Sequence, residues 1–160
     1  MPTDLEDASM TTRDRTTAER YAARHLLRGW SCLLVFIAVG LALESLHGLK
    51  VAAYLDLDQA VRRHMWTLAH AHGALLGLVH LGLAATVRWS PSLATCSQGH
   101  VASVSLDLAS LLLPLGFFLG GLWHYAGDPG LGVLLVPVGG ALLVIAALLV
   151  LLRLRAAPEA

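Results

Sequence analysis

Residues 65–87 read MWTLAHAHGALLGLVHLGLAATV. The stretch contains no Asp, Glu, Lys or Arg, and it is long enough to cross a bilayer as a helix. It nevertheless carries His70, His72 and His80. Ionisable groups are rare in hydrocarbon and face a bundle interior or a site. A membrane helix with three histidines is therefore the centre of the chain, and the rest is read outward from it.

Three further apolar runs flank it. The chain has 160 residues, of which 56% are hydrophobic and 14% charged, and its mean hydropathy is +0.67. Soluble domains carry about 25% charged residues. The pattern predicts an all-α fold, an up-down bundle of four transmembrane helices at about residues 29–47, 65–87, 101–125 and 131–152. Helices of this kind satisfy their own backbone hydrogen bonds, as hydrocarbon requires. Trp30, Trp66, Trp89 and Trp123 all fall at the predicted edges, where amphipathic indoles concentrate.

Residues 1–28 read as a cytoplasmic segment, disordered to about Thr12 and then helical from Thr17, its expected N-cap, to Arg28. Residues 153–160 form a tail. Arg13, Arg15, Arg20, Arg24, Arg28, Arg88, Arg153 and Arg155 lie on one side of this topology, and Lys50, Arg62 and Arg63 on the other. That imbalance of eight to three places both termini in the cytoplasm. The expected location is a bacterial inner membrane, crossed several times, with the lipid bilayer as the first partner and a membrane protein or a second copy as the next. A net charge of zero gives no basis for a nucleic-acid partner. Cys32 and Cys96 show neither a disulfide framework nor metal spacing. No Walker loop, GxSxG or HExxH is present, so hydrolase and nucleotide chemistry are not indicated.

The histidines supply the candidate chemistry. His70 and His72 are two residues apart, so on a helix they point about 200° apart and serve different faces. Gly73 and Gly77 form a GxxxG pair that lets a neighbouring helix approach closely. The string His70-Ala-His-Gly-Ala-Leu-Leu-Gly77 resembles an HxHxxLLG-type segment of small membrane proteins related to haem-copper oxidase subunit I. In that family an HxH sends its two histidines to two haems, and the resemblance implies haem binding at His70 or His72. An adjacent His-His pair and a His-Pro-Glu-Val-Tyr string are absent, so no copper centre is implied.

The remaining ligands of an outer site would come from neighbouring spans. Glu44 is expected at the depth of Thr67 and His70, with His47 and His124 near the interface above them. The candidate haem ligands are thus His70, His72, His47 and His124. A transition metal would instead take Glu44, His70 and His72. His25 is expected to be a bystander. Ser103, Asp107, Ser110 and Pro114 recur at helical spacing and should face the interior. Counting inward from the ends of the second and third spans puts His80 and Asp107 at one depth, about 9–10 Å from the boundary. They are expected to pair, with Arg88 as the rival partner of Asp107. Three functions follow: a haem or metal protein with a redox or sensing role, a non-catalytic subunit or assembly factor whose histidines pack, and a small proton-coupled transporter.

Overall fold

The computed structural model describes residues 3–125 and 127–156. Among the described residues there are six α-helices: α1 (Thr3–Gly48), α2 (Ala52–Leu55), α3 (Ala60–Trp89), α4 (Ser92–Thr95), α5 (Ser97–Leu122) and α6 (Leu135–Ala156). Four of them, α1, α3, α5 and α6 with the short 3-10 turn before it, are long and apolar enough to cross a membrane. The protein is thus an all-α, four-span bundle of integral membrane type.

Each span packs antiparallel on the next: α1 on α3, α3 on α5 and α5 on α6. α1 and α6 lie at the two ends of this row. Four alternating spans bring the start of α1 and the end of α6 to the same face. Burial follows position in the row. On α3, Ala69, Gly73, Leu76, His80, Ala84 and Val87 are buried at helical spacing. α5 is covered on two sides, by α3 and by α6, and has the largest share of its span buried.

Small residues set the closeness of these contacts. Where α1 crosses α3, a Cβ on Gly29 would lie 2.8 Å from the Gly77 carbonyl oxygen, and one on Gly77 would lie 3.0 Å from that of Gly29. The two backbones touch there, which is the use expected of Gly77. Its GxxxG partner Gly73 receives the ring of Phe36. Between lipid-facing helices such van der Waals fit, rather than expulsion of water, drives association.

The connections differ in detail from expectation. α1 is a single helix from Thr3, so the break expected near Thr12 is absent and residues 1–2 lie outside the description. Thr17 is not an N-cap. It sits inside α1 with its hydroxyl donating to the Arg13 carbonyl at 2.9 Å, because helix-forming residues such as Leu5, Glu6, Ala8 and Met10 carry the helix past it. Most importantly, Ala18, Tyr21, Ala22 and His25 are buried against the bundle. The packed part of α1 therefore begins about three turns before Gly29. The last turn behaves as the Gly127–Gly130 sequence suggests: Tyr125 and Asp128 exchange backbone hydrogen bonds of 3.1 and 2.7 Å, with Gly127 at φ +96°.

Candidate functional site: a buried histidine network

The long reach of α1 brings a histidine to the middle of the bundle. His25 is 0% exposed and His80, facing it from α3, is 1% exposed. Their Nδ1 atoms are 2.8 Å apart. His25 Nε2 lies 3.0 Å from Ser103 Oγ, and His80 Nε2 lies 3.0 Å from Ser110 Oγ. Both serines belong to α5. The network thus ties three spans together at one level.

The positions of the protons follow from the contacts. Ser110 Oγ is 2.8 Å from the Leu106 carbonyl, which can only accept, so the single hydroxyl proton of Ser110 is used there. Ser110 must then accept from His80, which makes His80 the Nε2–H tautomer with a bare Nδ1. That lone pair takes the Nδ1–H of His25, and the bare Nε2 of His25 takes the hydroxyl proton of Ser103. Ser103 Oγ in turn accepts from Arg24 Nη2 at 2.8 Å. One proton per link, in one direction, satisfies all four ring nitrogens. Beside it, Tyr21 donates to the Gly99 carbonyl at 2.8 Å and its ring packs on His25 at 4.7 Å.

Asp107 stands next to this chain but outside it. Its Oδ2 receives Arg28 Nη1 at 2.5 Å, so the partner of Asp107 is neither His80 nor Arg88. His80 and Asp107 do share a depth: ligating atoms of His25, His80 and Asp107 lie within 4.8 Å of one another. The pairing differs from the expected one because α1 packs on the bundle from Ala18 onward, which brings Arg28 to the level of Asp107. A guanidinium is the stronger competitor for a carboxylate, being charged and forked. Asp107 Oδ1 is buried and has no hydrogen-bond partner among the described residues.

The outer residues separate into two groups. Glu44, His47, Thr67 and His70 line one cavity of about 530 Å³ between α1 and α3, together with Tyr54. Glu44 thus shares a cavity with Thr67 and His70, as their common depth suggested. His70 donates its Nδ1–H to the Phe36 carbonyl at 2.6 Å, and its ring covers Gly40, where a Cβ would overlap it. His72 turns the other way: its Nδ1–H goes to the Leu68 carbonyl of its own helix at 2.8 Å, and its ring packs on Phe117 of α5 at 4.7 Å. The two histidines therefore diverge, as helical geometry demands, and His72 and His124 stay out of the cavity. Among the described residues the ligating atoms of Glu44, His70 and His72 do not gather to metal-binding distance, whereas those of His25, His80 and Asp107 do.

Comparison with known proteins finds no match to a family, to a characterised protein or to a solved structure.

The sequence reading missed His25, Arg24 and Arg28, all on α1. The signal was present: Ala18, Tyr21, Ala22, His25 and Gly29 recur at three- and four-residue spacing, which is one helix face. The charges between them disguised it.

Proposed function

We propose that this integral membrane protein is a non-enzymatic subunit or assembly partner of a bacterial plasma-membrane complex, with both termini cytoplasmic, and that its inner histidines latch the helices together. One observation carries the reading: all four ring nitrogens of the His25–His80 pair are already engaged. Neither ring can take a metal, a haem or a further proton without giving up one of these helix-to-helix hydrogen bonds. The chain also ends on the Leu106 carbonyl, which accepts a hydrogen bond but holds no proton to pass on. That favours a latch over a proton path.

A second reading has its own support. The orphaned Oδ1 of Asp107 and the 4.8 Å clustering with His25 and His80 fit a transition-metal ion held by two imidazoles and a carboxylate. Each ring would then donate Nε2–H to its serine, the usual support for a ligating histidine. Electrostatics works against it. Arg28 is already paired with Asp107 and Arg24 is one turn away, so a divalent cation would add to an existing positive excess in a low-dielectric site. A haem with a redox or sensing role would belong instead to the outer cavity, with His70 Nε2 as its ligand.

One preparation separates these readings. The protein purified in mild detergent is examined by ¹⁵N spectroscopy of its histidines, a reduced-minus-oxidised spectrum, metal analysis and native gel mobility. The latch requires His25 as the Nδ1–H tautomer, His80 as the Nε2–H tautomer, and a native assembly larger than the monomer. A stoichiometric metal with both inner histidines protonated on Nε2 would replace the latch by the metal centre, and a Soret band lost with His70→Ala would establish the haem. A lone monomer would overturn the subunit role.

A further inference from the structure

A cavity of about 830 Å³ lies away from the histidines, between α1, the end of α3 and α4. Its chemistry is graded along α1. At the surface end stand Asp14, Arg15, Glu19 and Arg88; toward the membrane the lining becomes Ala22, Ala23 and Leu26. Asp14 and Leu26 are twelve residues apart, about 18 Å along the helix. One turn beyond Leu26 is Trp30, 63% exposed, where an indole suits the interface. A polar head and an apolar floor aligned with the helix axis match the long dimension of a phospholipid.

The charges narrow the occupant. Among the described residues no hydrogen bond or ion pair engages the side chains of Arg15, Arg88, Asp14 or Glu19. Two guanidiniums and two carboxylates face one cavity without neutralising each other. Guanidinium forks suit a phosphodiester. The carboxylates suit a cation that donates hydrogen bonds, and they repel a headgroup that is only anionic. We infer that this cavity binds a zwitterionic phospholipid with a primary ammonium, of the phosphatidylethanolamine class: the phosphate lies on Arg15 and Arg88, the ammonium on Asp14 and Glu19, and an acyl chain along Ala22 and Leu26. A quaternary choline headgroup offers no N–H to the carboxylates, and phosphatidylglycerol offers no cation.

Native mass spectrometry of the detergent-purified protein, with dioleoyl phosphatidylethanolamine, phosphatidylglycerol or phosphatidylcholine added at equal concentration, tests the inference. Retention of the ethanolamine lipid should exceed that of either other lipid by roughly fivefold, the size of one net hydrogen bond, because phosphatidylglycerol lacks the cation and choline keeps the cation but cannot donate to the carboxylates. Arg15→Gln with Arg88→Gln should remove that excess. Asp14→Asn with Glu19→Gln should transfer the preference to phosphatidylglycerol, a gain of binding that a misfolded variant would not show. Equal retention of the three lipids, or an unchanged order in the carboxylate variant, would overturn the inference. So would displacement by soluble phosphoethanolamine at the lipid's own concentration, because the headgroup alone would then be the ligand.

Discussion

Replacing His80 by Phe and His25 by Phe, singly and together, tests the latch at its centre. His80→Phe keeps a ring in place but leaves the His25 Nδ1–H with no acceptor at a site that is 0% exposed. A buried donor left unsatisfied costs about 1–3 kcal/mol. Ser110 loses little, since its own proton still goes to Leu106. His25→Phe strands the Nδ1 lone pair of His80 and the hydroxyl proton of Ser103, at a similar cost. The double variant removes both halves of the ring-to-ring bond at once, and exchanging both partners for apolar groups of like shape is nearly neutral for that bond. The double loss should therefore fall short of the sum of the single losses by about 1–2 kcal/mol. Hydrogen bonds between membrane helices average about 0.6 kcal/mol in such cycles and reach about 1.7; this pair belongs at the upper end because both rings are fully buried. Equilibrium unfolding in mixed detergent and dodecyl sulfate micelles, followed by circular dichroism, gives the four stabilities. Additivity within about 0.3–0.5 kcal/mol would refute the reasoning. The same cycle on His80 and Asp107 should give a smaller coupling, since Asp107 spends its hydrogen bond on Arg28.

Other outcomes are expected from the same contacts. Arg28→Gln should destabilise the bundle by about 1 kcal/mol, with a coupling to Asp107→Asn that Arg88→Gln lacks; the Arg28 and Asp107 side chains are 40% and 26% exposed, which keeps the value near that of a partly exposed pair. Gly40→Ala should cost about 1–3 kcal/mol by forcing the His70 ring off α1, and His70→Ala in the same chain should recover much of the loss, as thermal unfolding will show. Compartment-sensitive reporters fused to either terminus should both report the cytoplasm; an external signal from either one contradicts the orientation, and signals from opposite sides contradict four spans.

The spans were legible because hydropathy over some twenty residues is a strong signal, and the divergence of His70 and His72 because it is fixed by helical geometry alone. Gly77 declared a close helix contact and made one. The site was less legible. Two arginines in five residues, Arg24 and Arg28, look like a segment in water, yet each carries a long apolar stem that lets the head reach a serine or a carboxylate inside the bundle. Asp107 announced that it needed a partner. Which partner depended on where α1 enters the bundle, and charge counting placed that point at Gly29 although the small and aromatic face continues back to Ala18. The outer set scattered for a different reason. Glu44 and His70 share a depth, but depth leaves rotation about the helix axis open, and His72 and His124 point elsewhere.

The latch also dictates an order of events during synthesis. His25 and His80 lie on the first two spans and meet as soon as those form a hairpin, where Gly29 and Gly77 already let the backbones touch. Ser103, Asp107 and Ser110 reside on the third and arrive later. Until they do, Arg24 and Arg28 have no acceptor, and His25 Nε2 and His80 Nε2 face lipid unmatched. Docking of α5 supplies the partners these groups lack, so the first hairpin gains stability when the third span packs on it. Each half shelters the other's polar groups, so the first hairpin and the third span form one cooperative unit within the bundle.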